Sequence, residues 1–198
     1  MSRVCANGAS KVAAAGIGHN GGPSIEAGAS WRRHCWTEAR AALLPTLPVE
    51  VVRLRVKRAA ELGLDYRTYA SVRAASGHDV VAFLFSSNAL RLLAPAPALP
   101  PDRAAHLAAI RACGRLALAV APLSPERVEM AARGAIDAAY PAPGHLARFA
   151  DQAGAIRAAI GRLPRDGVVL VGDGPLEQDW CAAGRLAAFL PAARYFGS

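Results

Sequence analysis

Four consecutive apolar residues, Val168-Val169-Leu170-Val171, run straight into Gly172-Asp173-Gly174-Pro175, and this junction restricts the fold more than any other stretch. A short apolar run without polar alternation suits a strand buried on both faces, as in a parallel sheet. The Gly-Asp turn then places a carboxylate at the carboxyl end of that strand, where open α/β sheets put their ligand sites. A second carboxylate, Asp179, follows six residues on, within a helical pattern over residues 176–188.

The same texture recurs upstream. Residues 79–85 and 116–121 are short apolar runs bounded by turn residues, and residues 136–140 suit a short third strand before Pro141. Periodicity alone also allows a helix over a run as short as 79–85. Helical patterns fill the gaps at residues 102–113, from Ser124-Pro125-Glu126 onward, and at 144–162. Ser124 suits an N-cap, with proline at the first helical position. Strands alternating with helices predict an α/β fold with a mostly parallel, Rossmann-like sheet of about four strands flanked by helices.

At 198 residues the chain holds one domain, or one domain with a helical appendage. No apolar run is long enough to span a bilayer, so no membrane partner is expected. No basic start precedes a long apolar core, so no secretory signal is read. Cys5, Cys35, Cys113 and Cys181 are scattered without a C-x-x-C pair, which suits free thiols and a cytoplasmic location. Five scattered histidines lack ligand spacing.

The net charge is +8, and lysine occurs only at Lys11 and Lys57. Arginine with abundant alanine and glycine also follows from a GC-rich genome, so distribution says more than the total. Between Ser30 and Ala75 nine basic residues face four acids, a surplus of five. This divides the chain into residues 1–28, a flexible tail with four glycines and a proline at 16–23; residues 29–77, a basic helical segment; and residues 78–198, the α/β domain. A phosphate-binding loop in the tail would need a strand before it, and none is read.

The basic segment contains a helix over residues 48–61, Gly63 at its end, then a helix from Tyr66 to about Ala75. Helix, glycine turn and helix is the outline of helix-turn-helix DNA binders. Arg53, Lys57 and Arg58 fall on the first helix, and Arg67 and Arg73 on the second, as candidate contacts to nucleic acid or an acidic partner. The alternative is an ordinary hairpin packed on the α/β domain with its arginines in water.

With Gly172-Asp173 and Asp179 after the last strand, and the tail from Trp180 to the aromatic pair Tyr195-Phe196, residues 79–198 resemble the haloacid-dehalogenase-like (HAD-like) family. The resemblance implies Mg²⁺-dependent phosphohydrolase chemistry. It puts two aspartates at the end of the first strand, a threonine or serine after the second, a lysine, and Mg²⁺ near the Gly-Asp turn. Here Ser86 and Asn88 stand at the two aspartate positions, Ser124 at the hydroxyl position, and Asp173 with Asp179 as metal candidates. The domain contains no lysine. A serine without an adjacent base is a poor nucleophile, and asparagine shuttles no protons. The local alternatives are that Ser86, Ser87 and Asn88 cap a strand-to-helix turn, that Asp173 caps the next helix, and that Glu177 and Asp179 lie on a solvated helix face.

These departures favour a non-catalytic regulatory or interaction protein with the α/β domain as scaffold or sensor. No cofactor is expected. The alternative is a HAD-like phosphohydrolase or phosphate-ligand binder, with Mg²⁺ at Asp173 and Asp179.

Overall fold

A computed structural model describes residues 47–144 and 146–197, of which residues 48–197 belong to one unit. The 1–28 tail, the part of the basic segment before residue 47, Cys5 and Cys35 lie outside the described residues.

The unit begins with two helices, α1 (Val49–Glu61) and α2 (Tyr66–Ser76). Then follow β1 (Ala82–Ser86), α3 (Pro101–Ala109), β2 (Gly114–Ala119), α4 (Pro125–Ala132) and β3 (Ala138–Pro141). The second half comprises α5 (Phe149–Ile160), a 3-10 turn, β4 (Val168–Gly172), α6 (Pro175–Gly184), β5 (Ala188–Pro191) and α7 (Ala192–Phe196). The five strands form one sheet in the order β3-β2-β1-β4-β5, every pair parallel. The chain winds outward from β1 to β3, then returns to the other side of β1. The crevice at the carboxyl ends of β1 and β4 is therefore the topological switch point, where such sheets bind ligands.

Three details of the sequence expectations are adjusted. The sheet has five strands rather than about four. The helix read over residues 176–188 stops at Gly184, where Arg185 turns left-handed at φ 53. Ala188–Pro191 then pairs with β4 through Val169↔Ala188 and Leu170↔Phe189. Alanine-rich runs carry little intrinsic strand preference, so the pairing partner decides this strand. The helix read over residues 144–162 also starts later, at Phe149.

Strand alternation sorts the core into two layers. Phe83, Phe85, Ala117, Ala119, Val169, Val171 and Leu190 share one buried cluster, while Ala82, Leu84, Leu118, Val168 and Leu170 share another. Ile156 and Ile160 of α5 and Trp180 of α6 cover the second face. The first face takes Ala59 of α1, Tyr69 and Val72 of α2, Leu107 of α3, Val128 of α4 and Tyr195 of α7. The α1–α2 hairpin is thus part of the domain core, although its basic composition separates it in sequence.

Polar bonds fix the hairpin there. The Arg58 guanidinium donates to Asp79 at 3.0 Å and to the carbonyls of Val80, Arg111 and Ala112 at 3.0–3.1 Å. The Tyr195 hydroxyl donates to the Leu62 carbonyl at 3.1 Å. Gly63 has φ +66, and a Cβ there would stand 2.6 Å from His106 Nε2. Conformation and space both require glycine at this turn.

Asp79 gathers the Tyr69 hydroxyl at 2.9 Å, Arg58 and its neighbour Val80 N–H. Burial alone would raise its pKa, but the Tyr69 and Arg58 bonds outweigh burial and hold it below the ordinary carboxylate value. A carboxyl lowered in the folded state stabilises the fold above its unfolded pKa of about 3.9, and that contribution fades as pH falls through the folded value. The unfolding midpoint of the wild type should therefore lose its advantage over Asp79→Asn on acidification below about pH 4. Parallel pH curves for the two would refute the assignment.

Candidate functional site at the carboxyl ends of β1 and β4

β1 ends in Ser86, and the chain turns immediately through Ser87 and Asn88. Both serines are fully buried. The Ser87 hydroxyl accepts from Val120 N–H at 3.1 Å, tying this turn to the end of β2. The Ser86 hydroxyl accepts from Ala89 N–H at 3.0 Å and donates to Glu177 Oε2 at 2.7 Å.

Glu177 organises the site. It sits in the first turn of α6 and is 1% exposed. Its Oε2 also accepts from Asp173 N–H at 2.7 Å, and its Oε1 accepts from Asn88 Nδ2 at 2.8 Å. One carboxylate thus joins the ends of β1 and β4 to the start of α6. A buried carboxylate requires such partners. Gly172 makes room for it, since a Cβ there would lie 2.5 Å from Glu177 Oε2 and 2.6 Å from Phe189 Cε2.

Ser86, Asn88 and Asp173, three of the residues singled out in the sequence, meet around this carboxylate. For Asp173 the contact is made by its main chain, and the side chain is exposed. Ser124 is the N-cap residue of α4, after β2, and makes no side-chain cap bond. Asp179 is exposed on α6, two residues past Glu177 and so on another side of the helix. Among the described residues, no group of three or more His, Cys, Asp or Glu side chains is placed to hold a metal ion.

The sequence reading put Glu177 on a solvated face, and the structure corrects it. The missed signal is positional. Pro175 opens the helix, so Glu177 is its third residue, where a glutamate reaches back over the helix start as in a capping box.

The crevice opens into a groove of about 580 Å³ lined by Asn88, Arg91, Leu93, Asp173, Pro175, Leu176 and Glu177. Cys181 is half-buried on α6, and burial pushes its thiol up to about 11, as it pushes Cys113 to about 12. Neither thiol is activated near neutral pH.

The basic hairpin separates into two groups. Arg58 is committed to the bonds described above. Arg73 lies 3.8 Å from Asp79 and 3.4 Å from the Tyr69 hydroxyl. Arg53 is exposed and, among the described residues, pairs with nearby Glu50 at 3.2 Å. Lys57 and Arg67 are exposed.

No helix among the described residues is long and apolar enough to cross a membrane. No protein-family model, curated protein or solved structure matches the chain.

Proposed function

We propose that the chain is a non-catalytic regulatory or interaction protein whose α/β unit senses a small ligand at the β1–β4 crevice. The observation that carries this reading is the commitment of Glu177. Its two oxygens take up the Ser86 hydroxyl, the Asn88 amide and the Asp173 N–H. Glu177 adjoins the Ser86 hydroxyl as a base would, but Ser86 is fully buried and its oxygen also accepts from Ala89 N–H, so it presents no nucleophile to the groove. Asn88 supplies neither proton transfer nor charge for a metal. A HAD-like phosphohydrolase would need both functions at these positions. What remains open is a groove at the switch point, which suits binding.

On the partner side, Arg53, Lys57 and Arg67 are the hairpin cations left facing solvent, and they suit an acidic protein surface or nucleic acid. Arg58 and Arg73 serve the fold in this reading.

The test is release of phosphate from a generic phosphoester with Mg²⁺, wild type beside Asp173→Ala. We expect both at the same background rate. A Mg²⁺-dependent wild-type rate that vanishes in Asp173→Ala would overturn the reading and restore the phosphohydrolase.

A further inference from the structure

Two opposite charges line the groove at the β1–β4 crevice, and the fold neutralises neither. Arg91 and Asp173 are both exposed, and neither side chain has a hydrogen bond or ion pair among the described residues. Elsewhere in the unit such groups close on each other, as Arg58 does on Asp79 at 3.0 Å and Arg115 on Asp137 at 2.8 Å. The main chain holds both groove charges in place. Arg91 has φ 54, a conformation that non-glycine residues seldom adopt. Its N–H donates to the Asn88 carbonyl at 2.9 Å, and Leu92 N–H donates to the Ser87 carbonyl at 2.9 Å. Asp173 N–H is tied to Glu177 Oε2 at 2.7 Å. Strained backbone that its surroundings over-determine concentrates at ligand sites.

The rest of the lining narrows the ligand. Asn88 gives its Nδ2 to Glu177 at 2.8 Å, while its Oδ1, on the other arm of the amide, accepts no bond among the described residues. Leu93 and Leu176 line the groove with Pro175 and are 64% and 49% exposed, so an apolar wall stands open to solvent. An anion alone would meet Asp173 as well as Arg91, and a cation alone would meet Arg91 as well as Asp173. A molecule carrying both charges satisfies both residues. The groove, at about 580 Å³, has the capacity for a small molecule of this kind.

We infer that this groove binds an apolar α-amino acid as its zwitterion, with the carboxylate on Arg91, the ammonium on Asp173 and Asn88 Oδ1, and the side chain against Leu93, Pro175 and Leu176. The inference rests on the sensing reading above and names the ligand class for that site. An α-amino acid carries a carboxylate, an ammonium and an apolar side chain on one carbon, the same three chemistries that line the groove. A guanidinium takes a carboxylate bidentately. An ammonium has three donors, and the Asp173 carboxylate and Asn88 Oδ1 supply acceptors for them. The apolar side chain covers Leu93 and Leu176, which the free protein leaves in water.

The experiment is isothermal titration of the full chain at neutral pH with L-leucine, leucinamide and N-acetyl-leucine. Saturable leucine binding by wild type is expected. Leucinamide, which lacks the carboxylate, and N-acetyl-leucine, which lacks the ammonium, should each bind on the order of tenfold more weakly. Arg91→Gln should weaken leucine on the order of tenfold and abolish its advantage over leucinamide, and Asp173→Asn should do the same for leucine over N-acetyl-leucine. Both residues are exposed, so neither substitution disturbs the core, and Arg157→Gln on α5 should bind as wild type does. The inference is overturned if wild type shows no saturable leucine binding, if either analogue binds as tightly as leucine, or if Arg91→Gln keeps the full preference for leucine over leucinamide. Those results leave the sensing reading standing. That reading fails on a different result, the Mg²⁺-dependent phosphoester hydrolysis that vanishes in Asp173→Ala.

Discussion

Glu177→Ala should lower the unfolding free energy by about 3 kcal/mol, a large effect for one helix-start residue. The substitution removes a carboxylate that is 1% exposed and strands three donors: the Ser86 hydroxyl, the Asn88 amide and the Asp173 N–H. Each donor left buried or half-buried loses a partner that water replaces poorly. Glu177→Gln should restore little, because its amide NH2 would face donors where the carboxylate presented a second acceptor. Denaturant melts with an unchanged slope and a shifted midpoint would confirm a native-state effect. A loss under about 0.5 kcal/mol, typical of surface substitutions, would mean that Glu177 does not hold the strand ends together.

Arg58→Ala is the second large effect, with an expected loss of about 2–3 kcal/mol. Its guanidinium donates to Asp79, to Glu61 and to the carbonyls of Val80, Arg111 and Ala112, so one side chain links α1 to the approaches of β1 and β2. Removing it leaves Asp79 with less compensation for burial and frees three carbonyls together. Arg58→Lys should recover only a minor part, since a single ammonium cannot reproduce a planar fork with acceptors on several sides. Arg53→Ala serves as the control. Its pair with Glu50 is 72% and 78% exposed, and such pairs contribute little. Equal midpoints for Arg58→Ala and Arg53→Ala would contradict the role given to Arg58.

These two residues also show where sequence reading stops. The βαβ alternation was legible because buried parallel strands such as Val168–Gly172 are continuous apolar runs and their turns carry glycine and proline. β5 was not legible. Four residues ending in proline hold no periodic signal, and only the register against β4 makes them a strand. The Gly-Asp turn and Ser86–Asn88 were visible as candidates because they interrupt apolar runs. Which carboxylate would meet them was not visible, because Glu177 and Asp179 differ only in their angular position on α6. The charge surplus of residues 30–75 was likewise real, but composition does not reveal whether an arginine faces solvent, like Arg53, or bonds to buried carbonyls, like Arg58. Long-range partners 21 and 54 residues away decide that.

The central claim is that the strand-end carboxylates serve the fold and its ligand groove and do not hold Mg²⁺ for reaction. Its most direct test is the thermal unfolding midpoint of the wild type as Mg²⁺ is raised, with Asp173→Ala alongside. A metal bound by the folded state must raise that midpoint. The account predicts coincident melting curves at all Mg²⁺ concentrations for both proteins. A wild-type midpoint that climbs with Mg²⁺ while Asp173→Ala stays fixed would contradict it.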